Sequence, residues 1–458
     1  MVRRSVGLLL VAVATAPLAV IGYYQSWNVR SPRESLLVST DERPRRVARR
    51  VVVAILDGLR FDTSRRLPVL KRLREAGVDR RGRASPPTFS MPGYTAILTG
   101  MPPAVSGVRN NRFGAARRPL GIDSVMGEAR RAGLSTAGCE RSSGYLDYLF
   151  GSELDYQCNP KKFQAGFQQI LDRFYDLSVI VLADADDTAH LHGARSAAYA
   201  RAAMRVDGAL GRIVARLDLA RDLLVAVADH GHLPAGGHGG AERDVTEVPL
   251  VIAGSGVLPG DRVPAGIESV ATAVSRALGL PPPIDRMAAL LPWREASARR
   301  EATTRWRVAA VALLALASLA AFAGAGWLPA RGALPALWLG LVLFLALHLA
   351  FLPWSMSAFD LRWRYLGRIV MLSAAAAAAH FAVAGRIAKP RTAEAQALGA
   401  AWLGLVTFAS AVAAAGTFRE GALGSSAAMY APVPLGIFFA VQSLVGALYV
   451  VARSPRNA

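Results

Sequence analysis

The sequence predicts an α/β domain with a doubly wound, mainly parallel sheet, and it predicts membrane-spanning segments at both ends of the chain. Near-continuous runs of Val, Ile, Leu and Ala alternate with helical patterns between residues 50 and 300, which is typical of strands buried on both faces of a parallel sheet. Acidic residues follow three of these runs directly. From residue 308 onward, apolar residues dominate the chain.

The three apolar runs that acidic residues follow predict where a ligand would bind. They are residues 51–56 before Asp57, residues 177–183 before Asp184 and Asp186, and residues 223–228 before Asp229. In open α/β sheets, ligands bind beyond the carboxyl ends of the strands. We therefore expect these carboxylates to meet at one edge of the sheet.

Further elements complete the alternation of strands and helices. Residues 123–132 and 194–217 have apolar positions at helical spacing, and residues 248–252 are typical of a late strand. Residues 267–278 predict a last helix, which ends before Gly279.

Five apolar stretches follow residue 307, each with about the 17 to 25 residues that a helix needs to cross a bilayer. They cover residues 308–328, 333–353, 369–385, 398–418 and 431–452. Aromatic residues near their ends are typical of an interfacial belt: Trp327, Trp338, Trp354, Trp363 and Tyr430. We predict a membrane domain of five transmembrane helices over residues 307–452.

The N-terminus has an apolar run from residue 6 to residue 21, which is either a signal peptide or an uncleaved anchor. The length of the run and the interfacial residues Tyr23, Tyr24 and Trp27 favour an anchor over residues 1–27. An Arg-rich linker, 28–49, and a soluble domain, 50–300, follow. Either reading places that domain outside the cytoplasm, periplasmic or luminal, on an integral protein of the cytoplasmic membrane.

Charge and cysteine content limit the partners. The net charge is +20 and almost all the basic residues are Arg, yet they are scattered and no nucleic-acid motif lies beside them. Attraction to anionic lipid is the better explanation, so we expect no nucleic-acid partner.

Cys139 and Cys158 either form a disulfide in an oxidising compartment or are two buried free thiols. The oligomeric state is left open.

Histidine is concentrated in the same regions as the acidic residues. Of the seven histidines, five lie in two short stretches interleaved with aspartate: His190, His192, His230, His232 and His238. Imidazole and carboxylate at this density indicate a metal site. Their ligand types suit Zn²⁺ better than Mn²⁺ or Mg²⁺.

Ser90 is a candidate phosphate-binding residue. It precedes Pro92 and an apolar helical run, which places its hydroxyl at a helix N-terminus, where backbone N–H groups and the helix dipole favour phosphate oxygens. Taken alone, the same position is more often a simple N-cap.

Five motifs, in order and spacing, resemble the alkaline phosphatase superfamily. They are DGLRFD at 57–62, SMPGYTAILTG at 90–100, DDTAHLHG at 186–193, DHGH at 229–232 and GGHGG at 236–240. The chain is most similar to the nucleotide pyrophosphatase/phosphodiesterase and glycosylphosphatidylinositol ethanolamine-phosphate transferase branches, over roughly residues 50 to 285.

The resemblance implies two divalent metal ions, most consistent with Zn, and a catalytic role for residues 50–300. One metal would be held by Asp186, His190 and His238. The other would be held by Asp57, Asp229 and His230, together with the nucleophile Ser90. Asn111 matches the position that holds a phosphate oxygen in the phosphodiesterase branch.

The implied activity is that of a metal-dependent phosphodiesterase or phosphotransferase with a phosphoserine intermediate. Its substrate would be a lipid-linked or other phosphodiester, and phosphoethanolamine transfer is included. Water or an alcohol as the second acceptor is left open. The alternative is an inactive membrane scaffold or transport protein whose phosphatase-like domain only binds ligand.

Neighbouring residues have their own alternatives. His192 and His232 are expected beside the ligands or at the surface, and Arg60 either steers the substrate or pairs, exposed, with Asp62. Thr88 is the second candidate nucleophile. Sulfatases require Arg two residues after the Pro of their motif, where this chain has Tyr94, so the sequence argues against a sulfatase.

Overall fold

The computed structural model describes most of residues 44–283 and a few segments beyond them. The described residues are 44–109, 111, 123–141, 143–257, 265–283, 367–378, 437, 438, 441, 444, 445 and 448. The predicted anchor and three of the five predicted transmembrane stretches lie outside them, and the other two are described only in part, with a helix over residues 367–378. Within the described part, we find no helix with the length and hydropathy of a membrane span.

The chain divides into two compact units. One is Arg30–Ala296, and the other combines Met1–Val29 with Ser297–Ala458. The described strands lie in the first unit and form a single sheet. They are β1 (Val51–Ile55), β2 (Val78–Arg83), β3 (Thr136–Glu140), β4 (Tyr156–Gln157), β5 (Leu177–Val181), β6 (Leu223–Val227), β7 (Glu247–Gly254) and β8 (Ala265–Gly266).

The sheet has the order β4-β3-β5-β1-β6-β7-β2-β8. Among the described strands, only β7 is antiparallel to the rest of the sheet. It pairs antiparallel with both of its neighbours, β6 and β2. The three apolar strands β5, β1 and β6 are adjacent, parallel and buried at every position. The prediction of a mainly parallel α/β sheet is confirmed.

The helices of this unit pack in two groups. Those described are α1 (Phe61–Ser64), α2 (Pro68–Ala76), α3 (Ser90–Thr99), α4 (Pro103–Ser106), α5 (Val125–Arg131), α6 (Tyr145–Phe150), α7 (Phe163–Asp172), α8 (Asp184–His192), α9 (Ala197–Val214), α10 (Arg243–Thr246) and α11 (Ser269–Leu278). Helices α3, α5 and α11 contact one another, and α9 contacts both α2 and α8. Together with central strands buried on both faces, this is the doubly wound arrangement that the sequence predicts.

Strand register determines where the site forms. Ile55 at the end of β1 pairs with Val181 of β5 and with Val227 of β6, so the three central strands end at the same level. The residues that follow these strands are therefore brought to one edge of the sheet. The predicted helices at 123–132, 194–217 and 267–278 are present as α5, α9 and α11, each slightly shorter than predicted.

Cys139 at the end of β3 and Cys158 just after β4 form a disulfide. Of the two alternatives that the sequence left open, the structure shows the bridged one. The bridge closes a segment of 19 residues and joins an edge strand to the rest of the sheet.

We expect the disulfide to stabilise the soluble domain. A bridge that closes a loop of this length is worth about 3 kcal/mol, mainly because it restricts the unfolded chain. At roughly 2–4 °C per kcal/mol for a domain of this size, reductant should lower the melting temperature of the wild type by about 6–12 °C. It should leave the Cys139→Ser/Cys158→Ser variant, which already melts lower, unchanged. Equal melting of wild type and variant would contradict this prediction.

Candidate active site

The carboxyl ends of three adjacent strands bring acidic side chains together. Asp57 follows β1, Asp229 follows β6, and Asp186 lies in the first turn of α8, which begins shortly after β5. Their donor atoms fall into two overlapping groups, in each of which the atoms lie within 4.8 Å of one another. The groups are Asp57, Asp229 and His230, and Asp186, His230, His232 and His238. The structure confirms the prediction that these carboxylates meet at one edge of the sheet.

The first group is fully enclosed. His230 Nε2 lies 3.4 Å from Asp57 Oδ1 and 3.3 Å from Asp229 Oδ2, and all three side chains are buried. The hydroxyl of Tyr94 donates to Asp57 Oδ2, and the backbone N–H of Gly58 donates to Asp229 Oδ1 at 3.2 Å. One oxygen of each carboxylate is thereby fixed, and the other oxygen faces the imidazole.

These carboxylates are in an unfavourable position without a cation. Burial, and then the negative charges of Asp229 and Asp186, raise the pKa of Asp57 well above its ordinary value. Burial and Asp186 do the same to the pKa of Asp229. Asp57 Oδ1 and Asp229 Oδ2 are buried and accept no hydrogen bond from the described residues. A divalent cation would satisfy both oxygens and offset the repulsion between them.

His230 has the tautomer that a metal ligand needs. Its Nδ1 lies 3.2 Å from the carbonyl oxygen of Gly231, which can only accept, so Nδ1 carries the proton and Nε2 presents its lone pair to the carboxylates. Burial lowers the pKa of His230 well below its ordinary value, which keeps the ring neutral. The donor set of the first group therefore fits Zn²⁺ or a similar divalent ion.

The second group contains two of the other predicted ligands, Asp186 and His238, and the third, His190, lies beside it. Asp186 and His190 lie one turn apart on α8, with Asp186 Oδ2 3.4 Å from His190 Nε2. His190 Nε2 is 3.2 Å from His238 Nε2, and the Nδ1 of His238 donates to the carbonyl oxygen of Thr88 at 2.8 Å. His190 is the most exposed of them, with 32% of its side chain accessible. This side of the cluster faces solvent.

Thr88 supports the loop that carries His238. Its hydroxyl donates to the carbonyl oxygen of Gly240 at 2.8 Å and accepts from the backbone N–H of Gly239 at 3.0 Å. The hydroxyl of Thr88, the second candidate nucleophile, is therefore engaged in hydrogen bonds that hold the GGHGG loop. Gly239 has a φ of 109°, and a Cβ there would lie 2.6 Å from the ring of Phe89, so this position requires glycine.

Ser90 is the first residue of α3, and its side chain faces the cluster. Phe89 rather than Ser90 occupies the N-cap position, and no capping hydrogen bond is made there, so the N-cap interpretation of Ser90 is wrong. Ser90 is buried, and its Oγ lies 3.4 Å from His230 Nε2. Gly93 allows α3 to approach Asp229 closely, because a Cβ at this position would lie only 2.7 Å from Asp229 Cβ. A serine hydroxyl, the N-terminus of α3 and the first group of ligands therefore share one location.

Asn111 lies beside the serine. Its Oδ1 accepts from the backbone N–H of Met91, the residue after Ser90, at 2.9 Å. Because the oxygen is engaged there, the Nδ2 of the amide remains as a hydrogen-bond donor. The structure brings Ser90, Asn111 and all six predicted carboxylate and imidazole ligands into one cluster, and their catalytic and metal-binding roles stay a prediction.

Two expectations about neighbouring residues need correction. Arg60 pairs with Asp62, which was one of the two alternatives, but its side chain is buried rather than exposed. It also forms an ion pair with Asp244 and donates to the carbonyl oxygen of His232. His232 is fully buried within the second group, which excludes a surface role, whereas His192 is exposed. The sequence signal for His232 was its alternation with His230 on the loop after β6.

Two family models match the chain. The model described as type I phosphodiesterase / nucleotide pyrophosphatase matches residues 51–119, and the model described as metalloenzyme superfamily matches residues 153–276. The resemblance to the alkaline phosphatase superfamily is confirmed. The two models cover Asp57, Ser90 and Asn111 in the first match, and Asp186 and the remaining predicted ligands in the second.

Individual proteins are similar to parts of the chain. The catalytic subunit of human GPI ethanolamine phosphate transferase 2 is 27% identical over 278 residues, which are 53% of this chain and 27% of the human protein. The chain thus spans about a quarter of the length of that relative.

Among solved structures, murine ectonucleotide pyrophosphatase/phosphodiesterase 5, in an inactive form in complex with AMP, has a TM-score of 0.45 and 14% identity. That similarity covers 51% of this chain and 96% of the murine chain. A sulfatase from Pseudoalteromonas sp. has a TM-score of 0.38 and 15% identity, over 51% of this chain and 68% of the sulfatase chain.

Proposed function

We propose that this protein is a membrane-anchored, two-metal phosphodiesterase or phosphotransferase that acts through a phosphoserine at Ser90. One observation carries the proposal. The Ser90 hydroxyl, free of any capping role, lies at a helix N-terminus 3.4 Å from His230, inside a buried group of acidic residues that fits a divalent cation. A nucleophile, an anion-binding helix end and a cation site at one point suit attack on a phosphoester.

Two sets of ligands would each hold one ion. Asp57, Asp229 and His230, with Ser90, would hold the first, and Asp186, His190 and His238 the second, with Zn the ion that best fits the ligand types. When bound, the two ions supply positive charge that lowers the pKa of the serine hydroxyl and stabilises charge on the attacking and leaving oxygens.

The chain itself binds and orients the substrate. The backbone N–H of Ser90, at the N-terminus of α3, and the Nδ2 of Asn111 are placed to donate to phosphate oxygens. A bond forms from Ser90 Oγ to phosphorus while the bond to the leaving alcohol breaks, which gives a phosphoserine that still carries the other alcohol of the diester. Water or a second alcohol then takes the phosphoryl group from Ser90. The first acceptor makes the protein a hydrolase and the second a transferase.

A lipid-linked phosphodiester outside the cytoplasm is the substrate class we propose. The apolar stretches predicted to cross the membrane support it, as does the similarity to the human ethanolamine phosphate transferase subunit. The Cys139–Cys158 disulfide supports an oxidising compartment. The alternative of an inactive scaffold or transport protein predicts that the ligand set is eroded, yet every predicted ligand is present and in the cluster.

The test uses the full-length chain, purified in detergent, stripped with chelator and then reloaded with Zn²⁺. The substrates are bis-p-nitrophenyl phosphate, p-nitrophenyl phosphate and a phosphatidylethanolamine analogue, the last with and without an acceptor alcohol. We expect diester turnover that chelator abolishes and zinc restores, and more product from the lipid analogue when the acceptor is present. An absence of turnover on all three substrates with zinc would refute the proposed activity.

A further inference from the structure

His232 lies in the cluster but is outside the ligand sets proposed above. Its Nε2 is 2.8 Å from Asp186 Oδ1, closer than His190 Nε2 is to Asp186 Oδ2, at 3.4 Å. An ionised carboxylate can only accept, so Nε2 carries the ring proton and donates it. The Nδ1 of His232 is buried and has no hydrogen-bond partner in the described structure. In the described structure, the hydrogen bond to Asp186 is therefore the only one that this ring makes.

The position of the ring is fixed from two sides. Arg60, itself buried between Asp62 and Asp244, donates to the backbone carbonyl of His232 at 2.5 Å. Gly58 lies against both partners, since a Cβ there would be 2.8 Å from His232 Nε2 and 2.8 Å from Asp186 Cα. The loops after β1 and β6 thus hold His232 against Asp186 without room to adjust.

We propose that His232 is a positioning residue for Asp186. Its N–H holds Oδ1, which leaves Oδ2 directed at His190 and at the ion that the second site would bind. The inference rests on the proposed function, because it assumes that Asp186 is a ligand of that site. Hydrogen bonds of this kind fix the orientation of metal ligands, and their loss costs about 10- to 100-fold in metal affinity.

The competing role for His232 is direct ligation. One of its ring nitrogens lies within 4.8 Å of donor atoms of Asp186 and His238, so distance alone permits it. A site of Asp186, His190, His238 and His232 would then have four protein ligands, which is typical of structural zinc sites. Catalytic sites keep three and leave one position open for water or substrate. The short contact to Asp186 and this coordination argument both favour positioning.

The experiment compares two substitutions in the full-length protein. His232→Gln keeps an amide N–H near the position of Nε2 but cannot replace an imidazole ligand, whereas His232→Leu removes the donor. His192→Gln, an exposed histidine at the end of the same helix as Asp186 and His190, is the control. Zinc affinity and stoichiometry are measured by competition with a chelator, and Co²⁺ absorption spectra of the loaded proteins report the ligand set. Melting in excess chelator checks that the variants fold.

We expect His232→Leu to weaken one of two zinc equivalents by about 10- to 100-fold. His232→Gln should stay within about threefold of the wild type and keep its Co²⁺ spectrum, and His192→Gln should match the wild type. Wild-type affinity in His232→Leu would overturn the positioning role and leave the proposed function intact. Equal loss in both variants, with an altered Co²⁺ spectrum in His232→Gln, would show ligation instead. A wild-type chain that takes up no metal would refute the proposed function itself.

Discussion

Replacement of Ser90 by alanine is expected to lower phosphodiester turnover by a factor on the order of 10⁴ or more, because it removes the attacking oxygen from a site that is otherwise intact. The side chain is buried and caps no helix, so the change removes one hydroxyl at the first position of α3 and leaves its backbone unaffected. Zinc content should be retained, since the first site keeps Asp57, Asp229 and His230.

The measurement is single-turnover and steady-state hydrolysis of bis-p-nitrophenyl phosphate by the full-length chain. Ser90→Thr keeps a hydroxyl and should retain a substantial part of the rate. Ser275→Ala removes a buried serine on α11, outside the cluster, and should leave the rate unchanged. Mass spectrometry of acid-quenched wild type should find a p-nitrophenylphosphoryl group on the peptide that contains Ser90. Turnover that survives in Ser90→Ala would mean that another group attacks phosphorus.

The site residues at strand ends were predictable because their positions follow from local pattern and general topology. Residues 51–56, 177–183 and 223–228 are apolar enough to be central strands, and parallel strands end at one edge. The packing order β5-β1-β6, with the ends in register, then places Asp57, Asp186 and Asp229 side by side.

Other elements depend on contacts that have no local pattern. Strand β2 has the sequence VDRRGR, too polar to be recognised as a strand, and it forms because its backbone pairs along the length of β7. The opposite direction of β7 is likewise set by its partners β6 and β2. His232 was expected beside the ligands or at the surface, because the direction of a loop side chain depends on distant groups, here Arg60 and Gly58.

The second large effect concerns Asp57, for which we expect substitution by asparagine to have opposite consequences with and without metal. Burial and the charges of Asp229 and Asp186 raise the pKa of Asp57 in the folded protein. A carboxyl group with a raised folded-state pKa contributes stability below its unfolded pKa, about 3.9, and loses it as pH rises through the folded value. At pH 8, far above the unfolded-state pKa, the metal-free wild type has therefore lost stability that it has at low pH.

Asparagine has no proton to lose and can still accept the hydrogen bond from Tyr94. Each unit of pKa shift corresponds to about 1.4 kcal/mol, and ~1 kcal/mol moves the melting temperature of a domain of this size by roughly 2–4 °C. In chelator at pH 8, Asp57→Asn should thus melt at least about 3 °C above the wild type. The difference should shrink as pH falls toward 4. With saturating zinc the order should reverse, because the wild type gains the binding energy of an ion that the variant has lost.

Asp222 is the matched control, since it is an equally buried aspartate with the opposite expected sign. Burial raises its pKa, but hydrogen bonds from Arg49 and Arg50 outweigh this and lower it. Its contribution is therefore present above its unfolded pKa and lost as pH falls, so Asp222→Asn should lower the melting temperature at pH 8 equally with chelator and with zinc. If Asp57→Asn behaved like Asp222→Asn, Asp57 would be a structural carboxylate rather than half of a cation site. The opposite signs separate a carboxylate stabilised by arginine from one that needs a metal ion.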